Sequence, residues 1–332
     1  MLPNTFKAFR IFENENQTFT RKVVERNIED LPPGEVLIKV HYAALNYKDA
    51  LSSTGNKGVT KNYPHTPGVD AAGLVVSSAD SRFRESEPVI VTSYDLGMNT
   101  DGGFAEYIRV PADWVVPMPA AIDLRESMIV GTAGFTAGLG LYKMEQLGQK
   151  PADGPILVTG ASGGVGSMAV AILAKAGYEV IASTGKQEAH EYLRRLGATF
   201  CVGREEANDE SKRPLMRPKW SGAIDTVGGN TLATALKACK PNGSVAACGL
   251  VASPSLKTTV FPFIINGVNL LGIDSATCPM PLREVVWEKL ANEWRVPDIE
   301  AIATVVRLDE LDPYIDQILE GKTRGRVLID LA

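Results

Sequence analysis

The sequence predicts a two-part α/β protein, in which a barrel-like front of short strands precedes a doubly wound parallel sheet. Over the first 120 residues, short apolar segments are separated by Gly and Pro, a pattern typical of a small barrel or sandwich. After residue 125 strands alternate with helix-period segments, which favours a parallel sheet. The 332 residues suffice for two domains. We expect a front domain over 1–125, a nucleotide-binding domain over 126–265, and a tail over 266–332 that returns to the front domain.

The front strands follow from period-two alternation. In "EVLIKVHYA", Val36, Ile38 and Val40 lie on one side and Lys39 and His41 on the other. The further strands predicted here are "DAAGLVVSS", "EPVIVTS", "GGFAEYIRV" and "WVVPMP".

In the back half, predicted helices and strands alternate along the chain. "RESMIVGTAGFTAGLGLYKMEQLG" predicts a helix, "PILVTG" a buried strand, and "VGSMAVAILAKAG" a helix with one apolar stripe. "YEVIAST", "TFCVG", "GAIDTVG" and "SVAACGL" predict further parallel strands. The tail predicts a strand at "NLLGID", a helix at "REVVWEKLANEW" and a closing strand at "RVLIDL". The stripe comprises Val165, Met168, Ala169, Ile172 and Ala176.

Composition narrows the class of protein. The formal net charge of -5 gives no chain-wide basic surface for nucleic acid. Neither a signal peptide nor a membrane-length apolar run is recognisable, so we expect a cytoplasmic protein that does not act at a membrane. The four cysteines have no close-pair spacing, which favours isolated thiols over disulfides or a zinc knuckle.

The segment "ILVTGASGGVGSMAV" predicts a dinucleotide site, because an apolar strand, a glycine turn and an amphipathic helix follow one another. Glycine lets the backbone approach a pyrophosphate, and the N-terminus of the helix offers unpaired N–H groups to it. The alternative is a glycine turn needed only for tight helix–strand packing. The residues predicted to surround the pyrophosphate are Gly160, Ser162, Gly163, Gly164, Val165 and Gly166.

The end of the next strand indicates which dinucleotide binds. An NAD site normally carries an acid there, about 20 residues after the turn. Here "ASTGKQE" offers Ser183, Thr184 and Lys186, with no acid before Glu188, and Arg204 follows the third strand. Hydroxyls and cations accept a 2′-phosphate that a carboxylate would repel, so the sequence favours NADP(H). The alternative for Lys186 and Arg204 is ordinary surface solvation.

Several segments together resemble the zinc-free quinone-oxidoreductase branch of the medium-chain dehydrogenase/reductase superfamily, and within it the acryloyl-CoA reductase group. They are "ALNYKDAL", "PGVDAAG", "GGFAEY", "GTAGFTAG", "VTGASGGVG", "AIDTVGG", "AACGL" and "TTVFPFI", and they cover essentially the whole chain. The resemblance implies a GroES-like front barrel, a Rossmann back domain, a cleft between them for nicotinamide and acceptor, and a homodimer.

Zinc-dependent relatives place a Cys where "ALNYKDAL" falls and a His–Glu pair where this chain has "PGVDAAG". Here the second place holds Val69 and Asp70, and His41 and His65 lack a matching third ligand. We therefore expect no bound metal. The turn "RFRESEPVIV" also departs from the branch, and we interpret it as a surface change.

The resemblance implies a metal-free hydride transfer to a conjugated double bond, with stabilisation of the developing enolate or oxyanion. Tyr47 would lie against the cofactor and hydrogen-bond near the nicotinamide, while Asn46 and Asp49 would orient it or line the acceptor site. Asn46 and Asp49 could instead cap the helix "YKDALSST", and one side chain can do both. The resemblance also places Leu250, Ile264 or Ile265, Ser275, and Arg324 or Arg326 near the nicotinamide.

Three functions follow, in order of preference. The first is NADPH-dependent reduction of an acryloyl-CoA-like enoyl thioester, the second is reduction of quinones or other enones. The third is a non-catalytic NADPH-binding protein with a structural or RNA-binding role, against which the acidic net charge weighs. Lys48, Lys57 and Lys61 are candidates for the phosphates of a CoA substrate, or are solvated surface side chains.

Overall fold

The computed structural model describes residues 3–332, and these confirm the predicted α/β class. They form two compact units. Unit 1 comprises the described residues up to Thr132 together with Ala276–Glu284 and Asp298–Ala332, and unit 2 comprises Ala133–Ser275 and Val285–Pro297. None of the helices within residues 3–332 is long and apolar enough to span a bilayer.

The strands are β1 (Thr5–Glu13), β2 (Phe19–Asn27), β3 (Val36–Leu45), β4 (Asp70–Ser78), β5 (Pro88–Thr92), β6 (Tyr107–Val110), β7 (Val115–Pro117), β8 (Ile156–Thr159), β9 (Val180–Ser183), β10 (Phe200–Val202), β11 (Trp220–Asp225), β12 (Cys239–Ala247), β13 (Asn269–Gly272), β14 (Ala303–Arg307) and β15 (Arg326–Asp330). The helices are α1 (Tyr47–Ser53), α2 (Leu124–Gln146), α3 (Gly164–Lys175), α4 (His190–Arg195), α5 (Gly229–Lys237), α6 (Phe261–Ile264), α7 (Met280–Ala291) and α8 (Asp312–Leu319).

Unit 1 is built on a seven-stranded sheet and a separate β1–β2 hairpin. The sheet order is β14-β15-β3-β4-β5-β7, with β6 also paired to β3. All pairs are antiparallel except β14 with β15. The C-terminal strands β14 and β15 therefore complete a sheet that begins near the N-terminus.

Strand β3 is the centre of unit 1. Its predicted alternation is present, since Val36, Ile38 and Val40 pack in one core cluster while Lys39 is exposed. The opposite side is also partly covered, because Leu37 is buried in a second cluster with residues of β1. The strand then runs directly into α1, so burial of β3 fixes where that helix begins.

Unit 2 contains the doubly wound sheet, with six parallel strands in the order β10-β9-β8-β11-β12-β13. The chain winds outward from β8 through β9 to β10, and then returns to place β11 on the other side of β8. The carboxyl ends of β8 and β11 thus flank the point where the winding reverses, which is where ligands of such sheets bind.

Helix α3 is more deeply buried than its predicted stripe. All residues from Gly166 to Leu173 are buried, whereas Val165 and Ala176 are half-buried. A helix that is apolar on all sides packs inside a large core, so α3 has no polar outer face along most of its length.

The compact units divide the chain at places other than the domain bounds expected from sequence, and the tail is shared. Strand β13 pairs with β12 in unit 2. Trp287 of α7 is also in unit 2, where its ring stacks on Phe135 at 6.0 Å between centroids. The sequence of a short apolar segment in the tail, such as β13, does not indicate which of the two sheets it joins, because either sheet could bury it.

Candidate active site

The turn after β8 is built on glycines whose geometry excludes a side chain. Gly160 has a φ of +58°, in the left-handed region that favours glycine. A side chain at Gly166 would overlap the carbonyl oxygen of Gly160, so only glycine permits this close packing of helix and turn. Helix α3 begins at Gly164 and directs its first N–H groups to the turn.

Hydroxyl groups and a guanidinium lie together at the end of β9. The hydroxyls of Ser162 and Thr184 are 3.0 Å apart and buried. Ser183 donates to the carbonyl oxygen of Gly203 at 3.3 Å, and the Arg204 side chain lies so close over Gly185 that a Cβ there would overlap it. The carboxylate of Glu205 lies against Gly203, an acid that sequence reasoning did not consider here.

In unit 1, the segment Asn46–Asp49 forms the start of α1, as its capping alternative predicts. Asp49 Oδ2 accepts from the backbone N–H of Asn46 at 2.7 Å, and its Oδ1 accepts from Gly68 at 3.1 Å and Val69 at 2.9 Å. The Asp49 side chain is fully buried, whereas the neighbouring Tyr47 is 40% exposed. Tyr47 is thus the member of this segment with a ring open to solvent.

Burial raises the pKa of Asp49 to about 7, because removal from water disfavours its charge. The charge of nearby Asp70 adds to the rise, and the three backbone N–H donors oppose it. The group therefore changes charge near neutral pH while having no exposed surface of its own.

Asn46 links Asp49 to a buried ion pair. Its Nδ2 donates to Asp70 Oδ2 at 2.8 Å, and its Oδ1 accepts from Arg326 Nη1 at 3.0 Å. Arg326 Nη2 in turn lies 3.2 Å from Asp70 Oδ2, and both side chains are almost wholly buried, with 2% and 0% exposure. Asp70 and Arg326 fix the orientation of the Asn46 amide, since the carboxylate needs a donor and the guanidinium needs an acceptor.

The remaining groups of the ion pair are also satisfied. Arg326 donates to the carbonyl oxygens of Ile129 at 3.1 Å and Leu45 at 3.3 Å. Asp70 accepts from the Thr132 hydroxyl at 2.6 Å and from its backbone N–H at 2.9 Å. A buried pair is tolerated only with such additional hydrogen bonds. We call Asn46, Asp49, Asp70, Thr132 and Arg326 the buried polar network.

A glycine inside α2 makes the network possible. Gly131 has φ +47° and ψ -159°, which breaks the helix direction just before Thr132. A Cβ there would overlap Asp70 Oδ2 and would lie 2.7 Å from Arg326 Nη2. The backbone N–H of Thr132 can therefore reach Asp70 only because residue 131 has no side chain.

The remaining residues predicted to lie near the nicotinamide are divided between the two units. Leu250 is 62% exposed and Ile265 58% exposed, and both lie in unit 2. Ser275 accepts from the Thr136 hydroxyl at 2.7 Å. Arg324 is exposed in the turn before β15, while Arg326 is the buried member of that pair of arginines. The roles assigned to Leu250, Ile265, Ser275 and Arg324 stay predictions.

Sequence reasoning missed the network partners. From the sequence, Asp70 is distinguished only by standing where zinc-dependent relatives have a metal ligand, and no pattern assigns a role to Thr132. Asp70 and Arg326 are 256 positions apart, so no local pattern joins them. The available signal was Gly131, the first of three glycines in "GTAGFTAG", because glycine is an unusual residue in the interior of a predicted helix.

The fold and these two groups of residues define a dehydrogenase/reductase with a GroES-like unit and a Rossmann unit. Residues 32–120 match the family model described as the alcohol dehydrogenase GroES-like domain, and residues 164–292 match that described as zinc-binding dehydrogenase. The chain belongs to the medium-chain dehydrogenase/reductase family, within its group of quinone oxidoreductases and acrylyl-CoA reductases.

Two relatives illustrate the group. Acrylyl-CoA reductase AcuI of Ruegeria pomeroyi is 44% identical over 98% of this chain and 99% of its own. YhfP of Bacillus subtilis, whose name assigns it provisionally to the quinone oxidoreductases, is 47% identical over 91% of this chain and 92% of its own. Both relatives are matched along nearly their full length.

Two solved structures of oxidoreductases are similar to this chain along nearly its full length. The yhdH oxidoreductase from Salmonella enterica in complex with NADP has a TM-score of 0.94 and 41% identity, covering 98% of this chain and 99% of that one. Bacillus subtilis yhfP with NAD bound has a TM-score of 0.96 and 44% identity, covering 99% and 100%.

The description of one family model names zinc, but the buried polar network does not fit that metal. Zinc sites use Cys, His and carboxylate ligands with free lone pairs. Here Asp49 and Asp70 already accept several N–H and O–H donors, and the guanidinium of Arg326 supplies a fixed positive charge beside Asp70. Within residues 3–332 there is no group of three or more His, Cys, Asp or Glu side chains that could hold a metal ion.

Proposed function

We propose that this protein is an NADPH-dependent oxidoreductase that transfers a hydride to a conjugated double bond, with an acryloyl-CoA-like enoyl thioester as acceptor. The observation that carries the proposal is the 44% identity to acrylyl-CoA reductase AcuI along 98% of the chain. The alternative acceptor is a quinone or another enone, which the likeness to YhfP supports.

The cofactor is NADP(H), and the residues of unit 2 fit it. The glycine turn and the N-terminus of α3 would hold the pyrophosphate. Ser183, Thr184 and Arg204 would hold a 2′-phosphate through hydroxyls and a guanidinium. Lys186 and Ser162 belong to the same predicted set, and Ser162 already contacts Thr184. When bound, the reduced cofactor supplies the hydride.

In unit 1, we assign direct contact with the acceptor to Tyr47. Its ring is exposed and its hydroxyl can donate a hydrogen bond to a carbonyl oxygen that gains negative charge. Asn46 and Asp49 hold the start of α1 and thereby fix the backbone of Tyr47. Asp49, being fully buried and bonded to three N–H groups, acts through position rather than contact.

Replacing Tyr47 with Phe tests this assignment. Loss of one oxyanion donor lowers kcat by about 100- to 1000-fold, while NADPH binding, followed by cofactor fluorescence, stays near wild type. Tyr314→Phe is the matched control, because Tyr314 packs against the apolar core of unit 1. Full turnover by Tyr47→Phe with acryloyl-CoA would remove Tyr47 from the mechanism.

The acceptor is decided by comparing kcat/KM for acryloyl-CoA and a simple naphthoquinone. Of the lysines proposed for CoA phosphates, Lys57 is already 2.7 Å from Glu13 and lies 4.7 Å from the Tyr63 ring centroid. Lys48 and Lys61 are exposed and are the better candidates. No turnover of the thioester, with turnover of the quinone, would overturn the first acceptor. Failure to oxidise NADPH with any acceptor would instead favour a non-catalytic protein.

The protein also forms a homodimer in this proposal, through one edge of unit 2. Strand β13 is an edge of the sheet in the described chain, and the stretch before it exposes unusually many large apolar side chains. Exposed apolar patches and unpaired strand edges mark association surfaces. The exposed residues are Leu250, Val251, Val260, Phe261, Ile264 and Ile265.

Light scattering after size exclusion tests the dimer. Ile264→Glu places a charge on a side chain that is 71% exposed, so folding is retained while association is lost. Phe200→Glu is the control, because Phe200 is 54% exposed on β10, the opposite edge of the same sheet. A monomeric wild type, or a dimer retained in Ile264→Glu, would contradict this surface.

We place the protein in the cytoplasm, acting on small molecules rather than on nucleic acid or a membrane. Cys201, Cys239 and Cys248 are free thiols, which suits a reducing compartment. The net charge of -5 disfavours a nucleic-acid surface. Cell fractionation tests the cytoplasmic location, and a filter-binding assay with RNA at low salt tests the absence of nucleic-acid binding.

A further inference from the structure

A buried carboxylate lies where the winding of the unit 2 sheet reverses. Asp225 is the last residue of β11 and Thr159 is the last residue of β8, and these two strands are neighbours. The Thr159 hydroxyl donates to Asp225 Oδ1 at 2.7 Å, and Asp225 has no exposed surface. Neither the cofactor assignment nor the acceptor assignment made above uses Asp225.

The same two side chains hold the loop that follows β11. The backbone N–H of Gly228 donates to Asp225 Oδ2 at 2.8 Å. The backbone N–H of Thr226 donates to the Thr159 hydroxyl at 3.0 Å, and the Thr226 hydroxyl donates to the Thr159 carbonyl oxygen at 2.9 Å. Thr226 is therefore bonded directly to the end of β8, while Gly228 is bonded to Asp225 at the end of β11, which itself accepts from Thr159.

The loop geometry depends on these bonds. Gly228 has φ +75° and Gly229 has φ +57°, so two successive residues occupy the left-handed region. The following helix α5 starts at Gly229. Without an acceptor for the Gly228 N–H, this buried turn would lose the bond that defines its shape.

The loop also lies against the glycine turn. A Cβ at Gly160 would overlap the Thr226 hydroxyl oxygen and would lie 3.3 Å from a Val227 methyl group. Ligands of doubly wound sheets bind just outside the carboxyl ends of the strands at this reversal point. The position of the loop consequently decides how much space the glycine turn leaves for a dinucleotide.

We infer that Asp225, together with Thr159, is a positioning residue for NADP(H): it holds the loop 226–229 against the glycine turn and so maintains the shape of the cofactor site. The inference rests on the proposed cofactor. The partners of Asp225 are N–H and O–H donors, so the carboxylate serves only as an acceptor. Asparagine at this position replaces one acceptor oxygen with a donor and removes the charge.

The test is the NADPH dissociation constant of purified variants, measured by fluorescence without any acceptor. We expect Asp225→Asn and Thr159→Val each to raise it by about tenfold or more, since hydrogen bonds to charged groups are the stronger ones. Thr159→Ser keeps the hydroxyl and should bind nearly as wild type. In turnover, the KM for NADPH should rise in the first two variants while the KM for the acceptor stays within twofold.

A control separates this role from simple stabilisation. Ser221 lies near the other end of β11, where its buried hydroxyl donates to the Gly154 carbonyl oxygen at 2.8 Å. Ser221→Ala should lower the melting temperature without changing the NADPH dissociation constant. If Asp225→Asn is too unstable to purify, Thr159→Val against Thr159→Ser carries the same comparison.

The outcomes are distinct. Wild-type protein that fails to bind NADPH refutes the cofactor assignment itself. Wild-type binding that is unchanged in folded Asp225→Asn and Thr159→Val refutes the positioning role and leaves the cofactor assignment intact. The positioning role is supported if Asp225→Asn and Thr159→Val bind NADPH more weakly, while Thr159→Ser and Ser221→Ala bind it nearly as wild type.

Discussion

Replacing Arg326 with Met should destabilise unit 1 strongly, because the substitution leaves a buried carboxylate without its cation. Arg326 and Asp70 are 2% and 0% exposed, so water cannot solvate Asp70 once the guanidinium is gone. Breaking one side of a buried pair costs about 3–5 kcal/mol. The lost bonds to the Ile129 and Leu45 carbonyl oxygens act in the same direction.

The assay is urea unfolding followed by circular dichroism, with hydrogen exchange on β3 to assign the loss to unit 1. Arg125→Met is the matched control. Arg125 also pairs with a carboxylate, Glu300, at 2.8 Å, but the two side chains are 37% and 52% exposed, and solvent-exposed pairs contribute only about 0–1 kcal/mol. Adding Asp70→Asn to Arg326→Met should recover part of the stability, because the uncompensated charge is removed. Equal losses in Arg326→Met and Arg125→Met would refute the account of the buried polar network.

Three further predictions concern single residues. Gly131→Ala should lower the melting temperature by several degrees, since a left-handed non-glycine residue costs about 1–3 kcal/mol and its Cβ would overlap Asp70. Because the pKa of Asp49 is raised to about 7, the native state keeps a proton that the unfolded chain releases near pH 4. The stability that this proton contributes is present below about pH 4 and is lost as the pH rises through about 7. It amounts to a few kcal/mol. The difference in unfolding free energy between wild type and Asp49→Asn, measured from pH 4 to 8, should change in that direction, and a flat difference would contradict it. Ser183→Asp should shift the ratio of kcat/KM values from NADPH toward NADH by about tenfold or more, and an unchanged ratio would count against the 2′-phosphate assignment.

Features encoded in contiguous sequence were predictable. The strand, glycine turn and helix of "ILVTGASGGVG" appear where expected, because the pattern reports strand burial and backbone freedom within a dozen residues. The sequence also predicts the cap at Asn46 as an alternative, since a short polar residue precedes the helix and an acid follows three positions later.

Features that depend on distant pairing were not predictable from one sequence. Arg326 was one of two arginines in the same short tail, and nothing local distinguishes it from Arg324. Its choice follows from β15 pairing with β3, which places Val327 opposite Leu45 and carries residue 326 into the interior. Strand β14 was missed for a related reason, since its pattern has only one buried position, Val306, in five residues.

The structure also changes how Asp49 is understood. The family resemblance implies that Asp49 orients the nicotinamide or lines the acceptor site, and the sequence offers a helix cap as the alternative. The carboxylate accepts from three backbone N–H groups inside unit 1, as the cap requires, and the role toward nicotinamide or acceptor stays a prediction. A single sequence cannot separate these readings, because a capping acid and a catalytic acid occur at the same spacing.

The central claim is hydride transfer to a conjugated double bond, and the most direct measurement is isotope transfer. The purified protein would be incubated with acryloyl-CoA and NADPH carrying deuterium at C4 of the transferred face, and the propionyl-CoA formed would be examined by NMR. The account predicts one deuterium on the β-carbon of the propionyl group and a solvent-derived proton on the α-carbon. Absence of product, or deuterium on the α-carbon, would contradict it.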